Sequence, residues 1–175
     1  MATTNLKSPS GSNPNTALRM SPQALNAMRN TEKVMLRYYN DMGRNKGNCT
    51  WGIGFYAHKG VCTPEELARK VTASSVEIEY VKRVAEAERR VKVKVKARLT
   101  QEQFDALVSF TYNTTNIAND RVYQALNDND FEGAARKISE ANKVKVNGAW
   151  KLAPGLIKRR EEESAPFRST LSSVQ

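Results

Sequence analysis

The chain has no long apolar run: nowhere in its 175 residues does a hydrophobic stretch approach the roughly 20 residues that cross a bilayer as a helix. Cysteine is scarce. Cys49 and Cys62 are too few for a disulfide-built scaffold and lack the company of a metal site. Histidine occurs once, as His58. Acidic residues are in deficit, 18 Asp and Glu against 28 Lys and Arg, for a net charge of +10. Such a balance favours an anionic partner, whether nucleic acid, membrane surface or charged polymer. No signature of a DNA- or RNA-binding module accompanies it. The first twenty residues, MATTNLKSPSGSNPNTALRM, lack the apolar core of a secretory signal. The expectation is a chain kept in the cytoplasm until another agent releases it. Internal repeats and β/α alternation are also missing.

What is present reads as a globular protein. Hydrophobic residues make up 39% and charged residues 26%, enough for one domain or for two small lobes sharing a core. Residues 1–20, rich in Ser, Asn, Thr and Pro, are expected to form a flexible arm. Residues 21–168 are expected to fold, and 169–175 to form a loose tail. Ser21-Pro22 starts a helix whose apolar face, Leu25, Met28, Met35, Leu36 and Tyr39, predicts continuation to about Asn40. Cys49 to Phe55 alternates like a strand, with Trp51, Ile53 and Phe55 on one face and Thr50, Gly52 and Gly54 on the other. The two cysteines flank this short sheet and can meet across it: thiols are the default in a reducing cytoplasm, and a bond is available in an oxidising space.

Thr63-Pro64-Glu65-Glu66 opens a further helix. From about Ser75 a long helix places Val81, Val84, Ala85, Val91 and Val95 on one side. RVKVKVKARL alternates with period two, but the helical character of EYVKRVAEAERR before it favours helix. Thr100 to Gln103 is a capping box launching a helix with Phe104, Leu107, Val108 and Phe110 inward. Shorter helices are expected at about 119–127 and 130–141. Asn147-Gly148 lies between alternating segments and predicts a hairpin, and a last helix follows Pro154-Gly155. The fold class is mainly α with a small sheet: a small lobe at about 40–75, a long connecting helix, and a helical lobe at about 97–168.

Three residues suggest chemistry. Glu32 sits on the predicted apolar stripe, where lost solvation would raise its pKa and let it hold a proton near neutral pH. Asp41 falls in a polar turn, where a carboxylate is ionised at pH 7. One dry and one wet carboxyl group suit glycoside hydrolysis. Thr50 shares its face with Gly52 and Gly54, and two bare backbones let a bulky ligand approach.

Glu32, eight residues, Asp41, then Thr50 opening T-x-G-x-G together resemble the active-site signature of the phage-type lysozymes, although the eight residues between Asp41 and Thr50 make a longer turn than in the best-known members. Two further blocks match in order: LTQEQFDALVSFTYN, Leu99 to Asn113, and PGLIKRREEE, Pro154 to Glu163. The resemblance implies a lysozyme-like two-lobed fold with a cleft between the lobes. It implies hydrolysis of the β-1,4 bond between N-acetylmuramic acid and N-acetylglucosamine in peptidoglycan. Glu32 would be the general acid, and Asp41 and Thr50 would hold a water that attacks from the opposite face with inversion. That geometry expects carboxyl groups roughly 6.5–9.5 Å apart. Gly52, Gly54, Asn113, Arg159 and Arg160 would contact substrate, with one of the two arginines pairing with Glu32. No metal or organic cofactor is implied. Expected partners are peptidoglycan and, by electrostatic contact, an anionic membrane, with no nucleic acid and with the chain as a monomer. Release from the host cytoplasm would need a phage-encoded pore. Phe55 stands where the family often has His directly after T-x-G-x-G, so His58 reads as a loop residue. The alternatives are a wall-binding relative without hydrolysis and a basic nucleic-acid-binding domain.

Overall fold

A computed structural model describes residues 13–31, 33–146 and 148–168. In chain order these form α1 (Pro22–Asn30), β1 (Met35–Asn40), β2 (Cys49–Gly52), β3 (Phe55–His58), α2 (Pro64–Ala68) and α3 (Ala73–Lys94). Then come α4 (Gln101–Asn113), α5 (Asn116–Asn127), α6 (Phe131–Glu140), β4 (Lys143–Val146), β5 (Ala149–Leu152) and α7 (Pro154–Ser164). The chain divides into a smaller unit, Pro22–Glu86, and a larger one, Met1–Ser21 with Ala87–Gln175. This is the mainly α, two-lobed arrangement expected, with α3 as the long helix that runs from one unit into the other.

In the smaller unit α1 is shorter than its apolar pattern predicts. It stops at Asn30, and the Thr31 hydroxyl donates back to the Met28 carbonyl at 2.7 Å. Residues 35–40 are a strand instead of helix, because VMLRYY is rich in β-branched and aromatic residues and β2 satisfies its backbone. The antiparallel register sets Tyr38 opposite Trp51, Tyr39 opposite Thr50 and Asn40 opposite Cys49. Met35, Leu36 and Tyr39 therefore do not extend the helical stripe, and Leu36 is 49% exposed.

The predicted strand Cys49 to Phe55 is likewise a hairpin. β2 ends at Gly52 and β3 returns from Phe55. Gly52 (φ +63°) and Gly54 (φ +91°) supply the left-handed backbone of the turn. A Cβ on Gly52 would meet Phe55 Cδ2 at 2.9 Å and Val76 Cγ2 at 3.3 Å. Ile53 and Phe55 are buried as expected, whereas Trp51 is half-buried, stacking on Tyr38 at 6.0 Å and meeting Phe55 edge-on at 5.0 Å. Val76, Tyr80 and Val84 form the buried face of this half of α3, and the Tyr80 hydroxyl donates to the Leu25 carbonyl at 3.1 Å. Val81 and Ala85, expected inward, are exposed; the inward stripe runs through 76, 80 and 84 at the four-residue helical spacing.

Cys49 and Cys62 form a disulfide across a separation of 13 residues. By restricting the unfolded chain, a loop of this size contributes about 3 kcal/mol. Beside it, His58 is the last residue of β3 and not a loop residue. Its Nε2 lies 3.1 Å from both carboxylate oxygens of Glu66. Glu66 is the third residue of α2 and completes a capping box, its Oε2 accepting from the Thr63 N–H at 2.8 Å.

In the larger unit α3 ends at Lys94 without a glycine, and asparagine side chains take over its last carbonyls. Asn13 Nδ2 donates to Lys92 and Val95 carbonyls at 2.7 and 2.8 Å, and Asn127 Nδ2 donates to Lys94 at 2.9 Å. Asn15, fully buried, donates to Ala97 O at 2.8 Å and accepts from Leu99 N at 3.0 Å. Residues 13–20, expected within a flexible arm, are thus fixed to this unit; the first twelve residues and the tail from Ser169 lie outside the described residues. The Thr100 capping box is present, and Phe104, Leu107, Val108 and Phe110 of α4 are all fully buried, each worth about 2–3 kcal/mol of apolar burial. Thr115 and Asp130 cap α5 and α6. The predicted hairpin forms with Val146 opposite Ala149 and Gly148 at φ +83°, while Asn147 lies outside the described residues.

Replacing Asn15 with Ala leaves the Leu99 N–H and the Ala97 carbonyl without their partner inside the unit. The variant should lose about 2–4 kcal/mol of unfolding free energy, read from urea melts with an unchanged m-value.

The His58–Glu66 pair predicts a pH window. The Lys59 carbonyl and then the Glu66 carboxylate raise the His58 pKa above its ordinary 6.5. The Thr63 N–H and then His58 lower Glu66 below its ordinary 4.5. The His58 contribution is complete below pH 6.5 and disappears as pH rises through the raised folded value. The Glu66 contribution is complete above pH 4.5 and disappears as pH falls through the lowered one. An NMR titration of this single histidine should give a midpoint above 6.5, and Glu66→Gln should bring it down.

Candidate active site

The connection between β1 and β2 is built around Asp41 and Asn48. The Asp41 N–H donates to the Asn48 carbonyl at 3.1 Å, and the Asn48 N–H donates to Asp41 Oδ1 at 2.8 Å. The Asn48 amide adds a longer contact to Asp41 Oδ2 at 3.4 Å. Reversal of the chain between them uses three left-handed residues, Gly43 (φ +95°), Asn45 (φ +56°) and Gly47 (φ +83°). Gly47 has a second constraint. A Cβ there would lie 1.9 Å from Asp41 Oδ1, so the missing side chain is the space the carboxylate occupies. Asp41 remains exposed at the surface of the turn.

Thr50 follows two residues after Asn48, in the central strand β2, and is 4% exposed. It is flanked by Tyr39 of β1 and Tyr56 of β3, and its hydroxyl donates to the Asn48 carbonyl at 3.4 Å. Asn48 therefore ties the carboxylate of Asp41 to the hydroxyl of Thr50 through its own backbone. Its side-chain oxygen accepts from the Gly60 N–H at 3.3 Å, fastening the same turn to the end of the hairpin. A carboxylate and a hydroxyl held by the N–H and the carbonyl of one residue can orient a water molecule: the carboxylate takes its proton and the hydroxyl holds its position. Asn48 was legible only as part of a polar turn, because it acts mainly through backbone groups.

Glu32 lies outside the described residues. In the sequence it stands between the last residue of α1, Asn30, and the first of β1, Met35. Met35 and Leu36, expected to continue the helical stripe on which Glu32 was placed, belong to β1 instead.

Of the residues expected to contact substrate, Gly54 has open space where a side chain would project. Gly52 does not, since Phe55 fills that position. In the larger unit Arg160 is 1% exposed. Its Nε donates to the Ala141 carbonyl at 2.9 Å, its Nη2 donates to Asn113 Oδ1 at 2.6 Å, and Nη1 pairs with Glu163. Arg159 Nε donates to the other oxygen of Glu163 at 3.1 Å, and the Ser109 hydroxyl donates to that same oxygen at 2.7 Å. Burial lowers the Arg160 pKa while Glu163 opposes the shift. Asn113, Arg159 and Arg160 thus belong to one network that joins α4 to α7 around a buried carboxylate.

The sequence and structure match known proteins along most of the chain. The phage lysozyme family matches residues 29–163. An endolysin of Acyrthosiphon pisum secondary endosymbiont phage 1 is 34% identical over 141 residues, covering 78% of this chain and 94% of the relative. An endolysin of Bacillus phage B103 is 32% identical over 155 residues, covering 86% of this chain, which spans about half of that longer relative (54%). Among solved structures, an endolysin from Escherichia coli O157:H7 phage FAHEc1 superposes with a TM-score of 0.69 at 30% identity, covering 90% of this chain and 96% of that one. The matched span takes in Asp41, Asn48 and Thr50 on their hairpin and the Glu163 network on α7, and the chain belongs to the phage lysozyme family.

Proposed function

We propose that this chain is an endolysin that hydrolyses the β-1,4 bond between N-acetylmuramic acid and N-acetylglucosamine in bacterial peptidoglycan, causing host-cell lysis. The observation that carries the reading is the Asp41–Asn48–Thr50 arrangement within a chain of the phage lysozyme family. Glu32 donates a proton to the glycosidic oxygen as the bond to the anomeric carbon breaks. Asp41 and Thr50 hold a water on the opposite face of the sugar ring. Asp41 takes its proton as the water oxygen bonds to the anomeric carbon, so the configuration inverts. Acid, base and water complete this reaction without a metal or organic cofactor.

Asn113, Arg159 and Arg160 contact the substrate in this reading, with Glu163 fixing the arginines. The net charge of +10 suits an anionic wall and brief electrostatic contact with a membrane surface. One chain supplies every residue of the reaction, so the working form is a monomer. Nucleic acid is not a partner. The enzyme waits in the host cytoplasm and reaches the wall through a phage-encoded pore.

Glu32→Gln removes the proton donor and keeps the side-chain shape. It should slow turbidity loss of outer-membrane-stripped Gram-negative cells by at least about a hundredfold; equal clearing by both proteins would reject Glu32 as the acid.

Gly47→Ala should displace the Asp41 carboxylate and lower the clearing rate about a hundredfold, as expected for a catalytic group moved by about 1 Å. Gly43→Ala incurs the same positive-φ cost in open space and should retain activity. The two variants should have similar melting temperatures, which separates displacement of Asp41 from general destabilisation.

A further inference from the structure

The disulfide of the smaller unit has unusual neighbours. Cys49 and His58 are register partners across β2 and β3, so their side chains emerge side by side on one face of the hairpin. Glu66 reaches the same point from α2. Its Oε2 is 3.7 Å from Cys49 Sγ, and both its oxygens are 3.1 Å from His58 Nε2. One donor atom from each of Cys49, His58 and Glu66 falls within 4.8 Å of the others, and Cys62 Sγ is covalently attached to the first of them. One sulfur, an imidazole nitrogen and a carboxylate oxygen thus converge from three separate points in the chain, and the second sulfur, Cys62 Sγ, is one covalent bond away.

The orientation of His58 matters as much as its distance. Its Nδ1 lies 3.1 Å from the Lys59 carbonyl, which can only accept, so Nδ1 carries a proton. A neutral ring then presents a bare lone pair at Nε2 to a carboxylate that is also only an acceptor. Two acceptors at 3.1 Å repel unless a cation lies between them. With the disulfide closed, a proton on Nε2 serves. A histidine whose far nitrogen donates to a backbone carbonyl is also the usual arrangement around a bound metal. Glu66 is held in the same way, by the Thr63 N–H.

We propose that, once the disulfide is reduced, Cys49, Cys62, His58 and Glu66 bind one zinc ion. Around a tetrahedral zinc with ligands at 2.0–2.3 Å, neighbouring donor atoms stand about 3.3–3.8 Å apart. The Cys49–Glu66 and His58–Glu66 separations already lie near that range, so the main adjustments are parting of the two sulfurs and approach of Cys62 Sγ to the other donors. A small-molecule thiol reductant breaks the S–S bond, supplying two electrons and two protons and itself becoming a disulfide. Zinc then displaces the protons of the two thiols and occupies the position of the Nε2 proton. Thiolate and imidazole donors select zinc over magnesium or calcium. His58 is partly solvent-exposed and Glu66 less so, which leaves an entry route. In a reducing compartment the metal would tie the end of the β2–β3 hairpin to α2; a small-molecule disulfide, taking two electrons from the two thiolates and leaving as two thiols, would release the zinc ion and close the covalent bond in its place. This inference does not depend on the glycosidase reading.

Cobalt(II) titration of the full chain, reduced with a phosphine under anaerobic conditions, tests the proposal. Reduced wild type should bind one equivalent, with thiolate-to-cobalt charge transfer and tetrahedral visible bands that added zinc abolishes. Oxidised protein should show neither. His58→Ala, and Glu66→Gln, which keeps the capping box, should each weaken binding at least tenfold. Absence of a one-to-one thiolate complex in reduced wild type would overturn the proposal, and so would equal affinity in the His58 variant. Circular dichroism covers loss of structure on reduction: helical signal restored by zinc supports the site, and a reduced chain left unfolded with zinc present contradicts it.

Discussion

The pairing of β1 with β2 is the constraint on which the smaller unit depends. It gives residues 35–40 backbone partners that a helix would not, and so α1 ends at Asn30. It sets Asn40 against Cys49, which brings Asp41 and Asn48 together as the next residues outward, and their reciprocal hydrogen bonds follow from that register. With β2 in the centre of the sheet, Thr50 is buried beside the turn and Cys49 faces His58. A slip of one residue would turn Thr50 to the other face and part the carboxylate from the hydroxyl. The register therefore fixes Asp41, Asn48 and Thr50 and the sulfur–imidazole–carboxylate cluster at once.

The larger unit is held by a different device, polar side chains placed at exposed backbone ends. Asn13, Asn15 and Asn127 satisfy the carbonyls at the end of α3 and the chain beyond it. Glu163 gathers Arg159, Arg160 and Ser109, and Arg160 links α7 to Ala141 and Asn113. Buried ion pairs of this kind contribute little net stability compared with apolar packing, yet loss of one partner costs about 3–5 kcal/mol because it strands the other charge. Such a network fixes the position of α7 relative to α4 more than it adds to the unfolding free energy.

Much of this was legible in the sequence where the determinants are local. The helix start at Thr63, the capping box at Thr100 and the inward face of α4 depend on residues within a turn or two of each other, and all formed as read. The mainly α class and the placement of Asp41 and Thr50 near a small sheet were also legible. β1 was misread because Leu25, Met28, Met35, Leu36 and Tyr39 fit the helical period, while the deciding hydrogen bonds come from β2, nine or more residues away. Gly52 looked like a bare face for a ligand because no local pattern predicts that Phe55 folds back to fill it. Asn48 and the burial of Arg160 were missed for the same reason: backbone hydrogen bonds and long-range partners leave no periodic trace.

The central claim is that a water held by Asp41 and Thr50 attacks the sugar on the face opposite Glu32. Proton NMR of the first products released from purified peptidoglycan tests this most directly, because it reads the new reducing end before it mutarotates. The account predicts reducing ends on N-acetylmuramic acid that appear as the α-anomer. Initial β-anomer, reducing ends on N-acetylglucosamine, or anhydro ends would contradict it.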